Sequence, residues 1–152
     1  MGNCRSNRKD AGVNVTSQAH DYGAQPFVTN IRKATLCNSN YRTVLWTGTY
    51  LQLTLMSINP GEDIGLENHP ELDQCITVEQ GCGIVIMGNN EEQQGNEIKI
   101  RCNDVIIIPA GTWHNLINTG CSPLKLYSVY APPQHPFGTV QATKQDAENE
   151  KS

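Results

Sequence analysis

The chain has no apolar run long enough to cross a membrane as a helix: stretches such as Val105 to Pro109 fall far short of the roughly 20 residues required. It also has no excess of basic charge. Eleven Lys and Arg stand against fifteen Asp and Glu, a formal net charge of −4, and the basic residues are scattered apart from Arg5, Arg8 and Lys9. Nucleic acid is therefore not an expected partner, because such binding needs a basic patch or stripe. The six cysteines (Cys4, Cys37, Cys75, Cys82, Cys102, Cys121) contain no C-x-x-C pair and follow no secretory signal. Neither a zinc knuckle nor a disulfide framework is indicated, and a reducing, cytoplasmic setting is expected. The G-x-S-x-G elbow and the P-loop are missing. Gly81-Cys82-Gly83 lacks the third glycine of a dinucleotide fingerprint.

What is present is a succession of short strand patterns. Tyr41 to Trp46 and Tyr50 to Ile58 read as a hairpin rich in β-branched and aromatic residues, ended by Asn59-Pro60-Gly61. Further strands are predicted at Gln74 to Glu79, Gly83 to Met87, Glu97 to Arg101, Val105 to Ile108, His114 to Asn118 and Leu124 to Tyr130, separated by Gly, Asn, Pro and Asp turns. No stretch between Tyr41 and Tyr130 sustains a helical period, so the fold class is all-β, a closed barrel or jelly roll. Residues 1–35 read as an irregular, flexible arm with a short docked strand at Phe27, Val28 and Ile31. Residues 36–135 form the barrel and residues 136–152 a charged C-terminal tail. With 152 residues the chain can bury a core without covalent staples, so a metal would serve function and not folding.

The first residues, Met1-Gly2-Asn3-Cys4-Arg5-Ser6, fit a myristoylation pattern at Gly2 with Cys4 available for palmitoylation. If the source is eukaryotic, two acyl groups would hold the protein on a membrane. Otherwise the cytoplasmic expectation stands.

Two patterns carry chemistry. Glu67 and His69 are two residues apart, so in an extended strand both side chains leave the same face. His114 follows the Pro109-Ala110-Gly111 turn. A turn that delivers one imidazole opposite a strand offering a carboxylate and a second imidazole is a way for a β-scaffold to converge metal ligands. His135, between prolines in a terminal loop, reads as a surface residue, and Asn118 as a strand-end hydrogen-bonding group.

These blocks resemble the paired motifs of the cupin superfamily, G-x5-H-x-H-x(3,4)-E-x6-G and G-x5-P-x-G-x2-H-x3-N. Pro109, Gly111, His114 and Asn118 match the second, with Asn103 in place of its leading glycine. Gly61, His69 and Gly81 match the first, with Glu67 where a histidine stands in the motif. The resemblance implies a single cupin barrel, a double-stranded β-helix. The motif's acidic position falls on Asp73 or Gln74. Gln74, Ile76 and Val78 share the more apolar face, so Gln74 is expected to point inward. The implied ligand set is Glu67, His69, Gln74 and His114 for one divalent metal, Mn, Fe, Ni, Co or Zn. Tyr50, Leu53, Met56, Ile86, Ile107 and Trp113 are expected to line a pocket for a compact oxygen-rich ligand, a sugar derivative or carboxylate. The implied activity is isomerase or lyase chemistry with the metal as Lewis acid, of a kind labelled mannose-6-phosphate-isomerase-like. A metal-dependent dioxygenase and a non-catalytic small-molecule sensor are the alternatives. Cupin barrels pair through edge or swapped terminal strands, so a homodimer through the Phe27 to Ile31 segment is a further expectation.

Overall fold

The structure, a computed structural model, describes residues 20–92 and 95–151. Gly2 and Cys4 lie outside them. Among the described residues the chain forms nine strands and two short helices, in the order α1 (Ile31–Cys37), β1 (Arg42–Thr47), β2 (Gln52–Ile58), β3 (Asp73–Gln80), β4 (Cys82–Gly88), β5 (Glu97–Arg101), β6 (Val105–Ile108), β7 (Trp113–Asn118), β8 (Leu124–Ala131), β9 (Val140–Gln141) and α2 (Lys144–Glu150). All eight strands expected from the alternation of apolar and polar residues are present. One antiparallel sheet has the order β6-β3-β8-β2-β1-β9 and the other β5-β4-β7. Ile76, Val78 and Leu126 from the first sheet meet Val85, Ile100 and Leu116 from the second in one buried cluster, which makes the molecule a jelly-roll barrel. No helix among the described residues is long and apolar enough to cross a membrane.

The motif positions fall at the corners. Asn103, where the motif has glycine, sits in the left-handed region at φ 74°, a conformation that asparagine tolerates better than other side chains. Gly111 has φ 80°, and the Thr112 N–H donates to Pro109 O at 3.1 Å. This is a type II turn, which needs a positive φ at its third residue.

Both ends of the described residues differ from expectation. Phe27 to Ile31 does not form a docked or swappable strand. Asn30 caps α1, its side chain accepting from the Lys33 N–H at 2.9 Å, and the helix buries Ala34 against Leu45 and Leu55 on the outer face of the large sheet. Residues 20–37 are thus packed on the barrel, with the Phe27 ring stacked on Tyr22 at 4.7 Å. The tail is likewise part of the fold. β9 pairs with β1, α2 opens with a reciprocal Thr143–Asp146 capping box, and Ala147 enters the main core beside Tyr41 and Ile64. Lys144 forms an ion pair with Asp63.

Gln52, fully buried on β2, ties this C-terminal strap down. Its Nε2 donates to His135 O at 2.7 Å and Thr47 Oγ1 at 3.0 Å, while its Oε1 accepts from the backbone N–H groups of Gln134 at 3.1 Å and His135 at 2.8 Å. Gln52→Leu would leave these backbone groups without their partner, each costing about 1–3 kcal/mol when buried. Urea denaturation is expected to show a loss of roughly 2–4 kcal/mol for this variant with the strand content unchanged by circular dichroism.

Candidate metal centre

The segment from Gly61 to His69 runs antiparallel to β7. Isolated bridges join Asp63 to Ile117 and Glu67 to His114, and at the second the two residues exchange both backbone hydrogen bonds at 2.9 Å. Residues directly opposed in this way present their side chains on the same face. His69, two residues beyond Glu67, shares that face. The result is a cluster in which one ligand atom from each of Glu67, His69 and His114 lies within 4.8 Å of the others. Two metal–ligand bonds of about 2.1 Å at roughly 90–110° hold their donors about 3.0–3.4 Å apart, so closing on an ion takes side-chain shifts on the order of an ångström.

The hydrogen bonding suits a cation. His114 Nδ1–H donates to Thr112 O at 2.9 Å, which leaves the Nε2 lone pair directed at the cluster. The Nε2 atoms of His69 and His114 approach Glu67 Oε2 at 3.4 and 3.9 Å, but neither has a hydrogen-bond partner among the described residues. Gln74 is buried on the inner face of β3, as strand parity predicts. Its Nε2 donates to Ser128 Oγ at 2.9 Å, while its Oε1 has no partner and lines an inner cavity together with Glu67. Asp73 is exposed at the rim, accepting from the Ala110 N–H at 2.9 Å. Buried, unspent lone pairs on two imidazoles and an amide, beside a carboxylate, are what a divalent ion of the Mn, Fe, Ni, Co or Zn type requires.

The protonation states agree. Burial alone would raise the Glu67 carboxyl, but the contact with His69 and the charges of Arg42 and Lys151 outweigh it and hold the pKa at about 2. His114 is lowered by burial, against the opposing effects of its bond to Thr112 and of Glu67, so the neutral ligand form is favoured.

The cluster lies at the base of a cleft of about 460 Å³, lined by Arg42, Glu67, His69, His135, Gln141 and Lys151 among others. Of the six pocket residues expected from sequence, only Met56 faces the interior, on the wall of the inner cavity. Tyr50 is 81% exposed in the β1–β2 turn, and Leu53 packs outside the sheet beneath α1. Ile86 and Ile107 alternate outward on β4 and β6. Trp113 also points outward, because the turn closes at Thr112 and Trp113 is already the first residue of β7, opposite in parity to His114. The true walls come from residues that the motifs do not mark. Arg42 is 2% exposed and donates to Gln141 Oε1 at 2.6 Å; Gln141 in turn donates to Glu150 Oε2. Lys151 reaches Glu67 Oε1 at 3.2 Å. His135, read as a surface residue, stands edge-on to Tyr130 with ring centroids 5.2 Å apart. Asn118 serves as expected, its amide donating to Ile58 O and Ser122 O.

Elemental analysis of purified protein is expected to find one divalent ion per chain, absent when His69 and His114 are both replaced by Ala. Gln74→Glu should tighten divalent binding by adding a charge to the donor set, and Asp73→Asn should barely change it; a reversed ranking in metal titrations would place the inward face one residue off. A pH effect is also expected. Burial and the charge of Arg42 lower His135 to about 3, so it is neutral in the fold and protonates first in the unfolded chain. The part of the metal-free protein's stability linked to His135 is therefore fully present above pH 6.5 and is lost progressively as pH falls toward 3. His135→Gln should reduce the slope of stability against pH between 6.5 and 5 by up to one proton per molecule, a range that precedes titration of the carboxylates.

Comparison with known proteins places this geometry. The family model described as "Cupin domain" matches residues 54–130. The protein YrkC of Bacillus subtilis is 58% identical over 127 residues, covering 84% of this chain and 68% of its own. Protein L612 of Acanthamoeba polyphaga mimivirus is 42% identical over 121 residues, covering 79% and 74%. The crystal structure of BH2720 from Bacillus halodurans superposes with a TM-score of 0.84 at 55% identity, over 86% of this chain and 98% of that one. Barrel, motif spacing and kinship agree, and the chain belongs to the cupin family.

Proposed function

We propose that this protein is a metal-dependent cupin that takes a compact oxygen-rich ligand, a carboxylate or sugar derivative, and acts on it by isomerase- or lyase-type chemistry. The observation that carries the reading is the Glu67, His69 and His114 cluster, whose Glu67 and His69 line an open polar cleft. Glu67, His69, His114 and the Gln74 oxygen would hold the ion. A divalent metal there supplies Lewis acidity, polarising ligand C–O groups and favouring the negative charge that develops on them. The chain's own residues supply the rest. His135 lines the cleft as a neutral imidazole, and Tyr130, raised by burial to about 12, keeps its phenolic proton 3.4 Å from the His135 Nε2. A proton acceptor at the cleft wall thus stands beside a buried proton donor that lines the inner cavity.

A second reading rests on the donor set itself. Two histidines and one carboxylate are the donor types of the facial site of non-haem iron oxygenases, so the same residues would serve an oxygen-dependent cleavage reaction. Protein loaded with each metal and screened against sugar and keto-acid substrates separates the two. Metal-dependent turnover under anaerobic conditions is expected, whereas substrate-dependent oxygen uptake would favour the dioxygenase. Ligand binding without any turnover would make the protein a sensor module.

A further inference from the structure

Arg42 is the largest fully buried side chain among the described residues; the Tyr41 ring lies 5.3 Å from its guanidinium carbon, but it forms no ion pair with a described carboxylate. A guanidinium removed from water is costly unless a carboxylate or a full set of acceptors receives its five N–H donors. Here one donor reaches the neutral amide of Gln141 at 2.6 Å, while Nε has no partner among the described residues. The Glu67 carboxylate nearby is a ligand of the proposed metal centre. Arg42 also borders both cavities, the cleft and a smaller inner space of about 10 Å³ that it shares with Glu67 and Gln74, room for a single water-sized group.

The charge balance of the cleft points the same way. Its charged lining consists of Arg42 and Lys151 against Glu67 and Glu150, which cancel. A divalent ion bound at Glu67 then leaves two positive charges in excess beside the buried Arg42. A neutral polyol would leave both that excess and the Arg42 fork unanswered.

We propose that Arg42 is the carboxylate anchor of this cleft, and that the ligand is a small hydroxy- or keto-carboxylate whose acid group pairs with Arg42 while its neighbouring oxygen reaches the metal centre. This rests on the metal-binding reading and narrows it from oxygen-rich ligands in general to anionic ones. A planar carboxylate fits the fork geometry that lysine does not offer. Lys151, at the mouth and 62% exposed in its side chain, adds long-range attraction for an anion.

The test uses zinc-loaded full-length protein and two probes of matched shape, glycolate and its neutral amide, glycolamide. Calorimetry is expected to show glycolate binding at least about tenfold more tightly, and Arg42→Gln should remove most of that preference with zinc stoichiometry unchanged. Nitrogen-15 NMR of the wild type provides a readout that does not depend on the variant folding: the Arg42 Nε–H resonance should shift with glycolate and stay in place with glycolamide. Zinc bound at one per chain, with no glycolate binding or an unmoved Arg42 resonance, would overturn the anchor and leave the metal centre standing. Failure of the wild type to bind zinc, manganese, iron, nickel or cobalt would remove both.

Discussion

The reciprocal pair of backbone hydrogen bonds between Glu67 and His114 is the constraint on which the site depends. It fixes the register of the upper end of the irregular segment from Gly61 to His69 against β7, and with it the side to which Glu67 and His69 point. A slip of one residue would turn Glu67 and His69 outward and bring Asn68 in. The segment is too broken to count as a strand, and its pairing with β7 shifts by one residue between the Asp63–Ile117 and Glu67–His114 bridges, where Gly65 has φ 78°. Below that shift the Ile64 N–H donates to Leu116 O and the Asn118 N–H to Glu62 O. The type II turn at Pro109 to Thr112 acts with them, because it starts β7 at Trp113 and so gives His114 its inward parity.

The large sheet continues this ordering across the barrel. Its register places Gln74 beside Tyr130 and Tyr130 beside Gln52; one layer down, Ile76, Ser128 and Thr54 align, and below them Val78, Leu126 and Met56. Three strands thus change from apolar to polar at the same height. The lower layers close the core, while the upper ones give the cleft its hydrogen-bonding walls. Arg42 stands opposite Met56, in the register of the lower layer, and its buried side chain borders both the inner cavity and the cleft.

Much of this was legible in the residues. Period-two alternation and turn chemistry located the eight strands from β1 to β8, and parity chose Gln74 over Asp73, because a slip there would have placed Cys75 and Thr77 in the core. Parity tells which residues share a face, however, and not which face is inside. β2 is apolar on both sides since α1 covers its outer one, so Leu53 and Met56 looked equivalent. Ile107 is apolar and yet 60% exposed. The C-terminal strap was illegible for another reason: α2 buries one small residue, Ala147, and its attachments are long-range pairs such as Lys144 with Asp63 that no local pattern announces. Arg42 and His135 entered the cleft through those same long-range pairings.

The Gln52 amide joins the Gln134–His135 turn directly to a central strand of the sheet, through hydrogen bonds on both of its polar ends. One wall of the cleft therefore inherits the rigidity of the barrel in place of the mobility usual for a terminal loop. A ligand entering there meets a surface already in position, and little conformational entropy is lost in ordering it. Affinity in such a cleft is governed by how well the guest matches a fixed shape, and selectivity among close analogues follows from that rigidity.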